Sequence, residues 1–210
     1  PHTLDCKYPD AAERIISFNS TLDHAYLECH SVEVLEAGNG NTALLRRASA
    51  DFALACALLQ RRRQAAAALL GTDKLDRFTA RMAARLMTAR RGTKPGTRRI
   101  RLLSAPTPGG ITTFADTIPA LADTIYVIQD AYGAAAARML SILSEYAYQN
   151  GYEAIVCRCA SDQSKIDHLI LPGLRLAVAT ANPWHPLRYA GQKTIRATRF
   201  LGGDRLAAKQ

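Results

Sequence analysis

Residues 130–138, "DAYGAAAAR", stand where phosphate chemistry would be done. The apolar run Ile125–Ile128 leads through a short turn into an alanine-rich helical stretch, the strand, turn and helix of a nucleotide-binding loop. Such a loop uses glycines to turn backbone N–H groups inward, a lysine to neutralise phosphates and a Ser or Thr to hold Mg²⁺. Laid on this chain, the pattern GxxxxGK[ST] puts its two glycines at Asp130 and Ala135, its lysine at Ala136 and its hydroxyl at Ala137. Gly133 is the one residue of the turn free to bend either way, and Tyr132 precedes it. A carboxylate at Asp130 would repel a polyphosphate, and Arg138 is the only cation near in sequence. The first turn of the helix still favours an anion. An ordinary strand-to-helix turn and a degenerate nucleotide loop both fit these residues, the second with ATP and Mg²⁺ as its ligand.

Other candidates are sparser. Asp162 and Asp167 sit near Ser161, Ser164 and His168 in "ASDQSKIDH", where they could orient water or a cation, or cap turns. No GxSxG is present, and Ser161, Asp162 and His168 lie too close in sequence to predict a hydrolase triad. Cys157 and Cys159 share one strand face without two further ligands, so they read as core residues before metal ligands. His24 and His30 do not share a helical face, and His2 and His185 are isolated. Trp184 is expected to close a hydrophobic edge, with adenine stacking as the alternative.

The elements that must carry these residues follow from periodicity. Spacings of three and four from Leu22 to Ala37 predict an amphipathic helix ended by Gly38-Asn39-Gly40-Asn41; a second runs from Thr42 to Leu70, and a third covers roughly 74–91. "RRGTKPGTRR" reads as a basic linker. Beyond it come strand 99–105, the turn "PTPGG", a short helix near 112–121, strand 124–129, helix 134–150 and strand 153–159, then two apolar runs folded about Pro172-Gly173. Strands alternating with helices predict an α/β fold with a mainly parallel sheet flanked by helices, behind a helical appendage at the N-terminal side. The organisation expected is 1–91 helical, 92–98 linker and 99–210 α/β domain. Ligands of such sheets collect beyond the carboxyl ends of the strands.

Over 210 residues the chain has five cysteines in no paired pattern, which suits reduced thiols and a cytoplasmic setting. No run approaches a membrane span, so no membrane partner is expected. Pro1 in place of Met suggests a fragment or a processed form. The net charge of +9 gathers at Arg46–Arg47, Arg61–Arg63, 77–91 and 94–101. It suits a solvated helical face, or nucleic acid bound through the basic helices 42–91, although no aromatics interleave as a stacking platform.

The order "RIRLLSAPTPGGITTF", "YVIQDAYGAAAARML" and "NGYEAIVCRCASDQSKIDHLILPGLRLAVATANPWH" resembles one half of a bacterial ATPase-like family with two tandem P-loop NTPase units. The matching stretches are Thr107-Pro108-Gly109-Gly110, the loop at 130–138, Asn150-Gly151-Tyr152, Cys159 to Asp162, Asp167 and Ile170 to Leu174. "PHTLDCKYPDAAERII" resembles the segment after the first unit's core. The resemblance implies a P-loop NTPase-like fold, a nucleotide-binding loop at Asp130, Tyr132, Gly133, Ala136, Ala137 and Arg138, and an upstream unit or a second copy as partner. The chain departs from the family at Ala136 and Ala137, and at Thr180, where the family's closing motif has an aspartate. The resemblance therefore implies P-loop ancestry with weak or no ATP hydrolysis and a regulatory or structural role. An active site completed by an upstream unit is the alternative.

Overall fold

The structure, a computed structural model, describes residues 19–89 and 94–202. Expectations for Pro1, His2, Cys6, the segment 1–16, Arg90, Arg91 and linker residues 92–93 lie outside the described residues. The chain forms two compact units, Pro1–Phe52 and Ala53–Gln210.

The described residues of the first unit, from 19 on, are largely helical. Helix α1 (His24–Cys29) starts at Asp23, whose carboxylate accepts the Tyr26 amide at 3.0 Å. It stops at His30, whose Nδ1 lies 2.9 Å from the Tyr26 carbonyl while its ring stacks on Tyr26. Helix α2 (Ser31–Ala67) then runs for 37 residues and ends in the second unit. Two expectations are corrected here: the periodic stretch 22–37 is broken at His30, and Gly38-Asn39-Gly40-Asn41 does not end a helix. Neither glycine takes the positive φ that a helix-terminating cap uses. Thr42, expected as an N-cap, instead donates its hydroxyl back to the Gly38 carbonyl at 2.9 Å, an interior helix bond. The Ala-, Leu- and Arg-rich sequence that follows is strongly helix-forming, and it carries the helix through the two glycines.

The second unit holds a six-stranded sheet of β1 (Thr97–Leu102), β4 (Thr124–Gln129), β5 (Glu153–Arg158), β6 (Ile166–Leu171), β7 (Leu176–Ala181) and β8 (Lys193–Arg196). Their order across the sheet is β1-β5-β6-β7-β4-β8. All run parallel except β6, which is antiparallel to both neighbours. A separate hairpin pairs β2 (Ser104–Thr107) with β3 (Gly110–Thr113). It replaces the tail of the single strand expected over 99–105, and Gly110 turns it at φ 111°. Strand β8 has no counterpart among the expected elements: "KTIR" is short, polar and flanked by no helix pattern.

Alternation along β4 divides the core. Tyr126 and Ile128 join Met139, Leu140 and Leu143 of α5 (Ala134–Gln149) and Leu75 and Met82 of α3 (Thr72–Leu86). Ile125 and Val127 join Ile118 of α4 (Thr117–Leu121), with Ala177 and Ala179 of β7. Helices thus cover both sheet faces, as a buried parallel sheet requires. After β4 the chain crosses to one side of it, at β5, and after β7 it crosses to the other side, at β8. The carboxyl ends of β4 and β7 are therefore the switch point where a ligand crevice forms.

Within α2, Gly38 and Gly40 have nothing within 4 Å of where a Cβ would stand. Replacing either with Ala is expected to raise stability by about 1 kcal/mol, less if the helix frays there. Circular dichroism melts of the single variants and the double variant check this.

Candidate functional site

Gly133, at φ 71° and ψ 11°, is the N-cap of α5 and offers no side chain to the helix's first turn. The acceptor comes from further back. Asp130, 6% exposed, accepts the Tyr132 amide on Oδ1 at 3.1 Å and the Ala136 amide on Oδ2 at 2.9 Å. Its own amide donates to the Ala181 carbonyl of β7 at 3.0 Å. The carboxylate therefore occupies the mouth of the turn, where a bound phosphate would meet the same N–H groups.

The other loop positions point elsewhere. The Ala136 methyl is 1% exposed and packs in the α3–α5 core, and Ala137 is half-buried. The Arg138 guanidinium reaches α3, with Nε and Nη2 each donating to Asp76 at 2.6 Å. Arg138 is not the cation of the loop.

That cation is Lys165, from the turn between β5 and β6. Its Nζ stands 3.2 Å from the position a Cβ on Gly133 would take, and 2.8 Å from Oδ1 of Asp167. A side chain at 133 would thus need both a strained backbone and the ammonium's space. Burial alone would lower the Lys165 pKa, but Asp167, with Cys159, outweighs it and holds it above the usual lysine value.

Lys165 and Asp167 line a cleft of about 90 Å³ together with Arg62, Arg63, Tyr132 and His185. Asp162 lies on the same wall, salt-bridged to Arg63 at 2.6 Å and accepting the Ser164 amide at 3.0 Å. Burial alone would raise its pKa; the Ser164 hydrogen bond and Arg63 outweigh that and hold it below the usual carboxylate range. Arg62 lies over the Tyr132 ring, 5.5 Å from its centre. The structure thus brings Asp162, Asp167, Tyr132 and Gly133 to one cleft, with Asp130 directly behind the turn; Ala136, Ala137 and Arg138 are outside it. Sequence reasoning missed Lys165, Arg62 and Arg63 as cleft residues. The one available signal was that Lys165 shares the loop of Asp162 and Asp167. Trp184 stands at the rim with 65% exposure, so it does not close an apolar edge.

Behind Asp167 lies a buried pair of imidazoles, His168 and His185, edge to face at 5.1 Å between ring centres. Both nitrogens of His168 and Nε2 of His185 lack hydrogen-bond partners. Burial pushes the His168 pKa down to about 3, opposed by Asp167 and reinforced by His185 and Lys165; burial lowers His185 as well. Cys157, paired with His168 across β5 and β6, is pushed up to about 11, mainly by burial and further by Asp167, against Arg101. Among the described residues no group of three or more His, Cys, Asp or Glu is arranged to hold a metal, and no helix is long and apolar enough to cross a membrane.

Comparison with protein-family models, curated proteins and solved structures gives no match to this chain.

Two outcomes are expected. Asp130→Ala leaves two amides at the turn without their acceptor, and should cost about 1–3 kcal/mol in urea denaturation. Asp130→Asn, with one carbonyl for two donors, should fall between. A native-like Asp130→Ala would show that the turn does not depend on the carboxylate. For His168, both folded and unfolded states are neutral above pH 6.5 or so, and no pH dependence arises there. As pH falls from about 6.5 towards 3, only the unfolded chain gains the proton, so stability drops by about 1.4 kcal/mol per pH unit for this group. Denaturation series between pH 6 and 4 should show a slope shallower by one proton in His168→Leu, with the His185 contribution remaining.

Proposed function

We propose that the chain is a P-loop NTPase-like α/β unit whose nucleotide loop is filled by its own carboxylate, and that it acts as a regulatory or structural part of a larger assembly and not as a phosphoryl-transfer enzyme. The observation that carries this reading is the pair of hydrogen bonds from Tyr132 N–H and Ala136 N–H to Asp130. Phosphoryl transfer depends on positioning and electrostatic stabilisation of the transferred group, through amides, a lysine and a Mg²⁺ ligand. Here the amides are already engaged by an anion. Ala137 supplies no hydroxyl for Mg²⁺, and Ala136 faces the core. These residues do not fit ATP with Mg²⁺, and no catalytic step is assigned to them. The crevice at the carboxyl ends of β4 and β7, and the αL glycine ahead of a long helix, support P-loop ancestry for the framework.

Nucleic-acid binding through helices 42–91 rests on charge alone. An assembly with an upstream unit or a second copy accords with the long apolar surface of α2, where Val34, Leu35, Leu44 and Leu45 are all exposed.

Purified chain is expected to release no phosphate from ATP above the buffer rate, with or without Mg²⁺, and to show no sub-millimolar heat of binding when titrated with ATP–Mg²⁺. Turnover, or binding in that range, would overturn the reading.

A further inference from the structure

The cleft outside the filled turn has a different chemical character from the turn itself. Three cations, Arg62, Arg63 and Lys165, face it against two carboxylates, Asp162 and Asp167, so the lining side chains carry a net positive charge. The Lys165 ammonium has three N–H donors, and the ion pair with Asp167 at 2.8 Å occupies one direction. Guanidinium groups match the geometry of oxyanions by parallel donors; Arg62, on the same turn of α2, lies over the Tyr132 ring, a contact that takes none of its N–H groups, and Arg63 gives Nη2 to Asp162 at 2.6 Å and keeps the rest of its five N–H donors. His185 is 7% exposed and forms part of the cleft wall, packed against the buried His168 ring.

Size narrows the class. About 90 Å³ suits one tetrahedral oxyanion and is far short of the 300 Å³ or more of typical drug-sized ligand pockets. We propose that this cleft binds a single phosphate group, as inorganic phosphate or as the head of a small phosphomonoester, held by Lys165, Arg62 and Arg63. The anion sits on side chains over Gly133 and not on the backbone amides of the turn, which Asp130 has taken. This goes beyond the non-hydrolytic reading of the loop and is independent of it.

Trp184 is the chain's single tryptophan and stands at the cleft rim, so its fluorescence reports on occupancy. The full chain is titrated with inorganic phosphate and with glycerol phosphate, using chloride at matched ionic strength as the blank. A saturable change is expected with phosphate and not with chloride. Arg62→Gln, on an exposed side chain, should weaken binding about tenfold, as the loss of one charge-assisted hydrogen bond implies. Lys165→Gln should weaken it more; because that change strands the buried Asp167, it is read only alongside a native far-UV spectrum. Arg138→Gln, whose guanidinium is engaged by Asp76 away from the cleft, should bind as the native chain does. Tighter binding of the ester assigns the ligand as a phosphomonoester, and equal binding assigns free phosphate. Absence of a saturable signal, or Arg62→Gln and folded Lys165→Gln binding as tightly as the native chain, overturns the proposal. ATP turnover would sink the non-hydrolytic reading and leave this site standing.

Discussion

The carboxyl-end rim of the sheet is organised by one buried carboxylate. Asp130 directly follows β4, accepts two amides from the turn and the first turn of α5, and donates its own amide to the last residue of β7. A buried carboxylate is costly unless several donors converge on it, and two amides at a helix N-terminus supply the donors together with the favourable end of the helix dipole. The same contacts fix where α5 leaves the sheet, and α5 in turn presents Met139, Leu140 and Leu143 to the core it shares with α3. The register of strand, turn and helix therefore follows from an interaction made within seven residues of chain.

The reversed direction of β6 is the second determinant. In an all-parallel arrangement, the connection from β5 would recross the sheet and leave the rim. Because β6 pairs antiparallel with β5, the connection is a tight loop that stays at the carboxyl ends of the parallel strands. That loop carries Asp162, Lys165 and, at the start of β6, Asp167, and it reaches Gly133 on the neighbouring turn. An ion pair of this kind gains little by itself when buried, but removing one partner is expensive, so Lys165 and Asp167 hold each other in place. The two imidazoles behind them are kept neutral by the same burial.

Local patterns were readable in the amino-acid sequence where one physical signal dominated. Strand β4 is legible to the residue because four consecutive apolar side chains serve both sheet faces, and α5 to within one residue because Gly133 and Gly151 punctuate it. The GNGN stretch is misleading because each of its residues favours a turn by itself, whereas a helix responds to the summed preference of its neighbours. Strand β8 escaped notice since it owes its place to pairing with β4, a long-range contact. The same holds for the cleft. Asp130, Gly133, Asp162 and Asp167 are legible from their types and positions. Arg62, some 100 residues from its cleft neighbours in β6, and Lys165, folded over a distant glycine, come together only through topology.

The engaged state of Asp130 bears on how this unit responds to its surroundings. In a loop built from glycines, order at the helix entrance comes partly from the bound phosphate, so the segment is coupled to metabolite concentration through the linkage between binding and folding. Here the anion is part of the chain and its effective concentration never changes. The entrance to α5 is therefore held by the chain's own side chain whatever anions surround it, a fixed joint and not a ligand-dependent one.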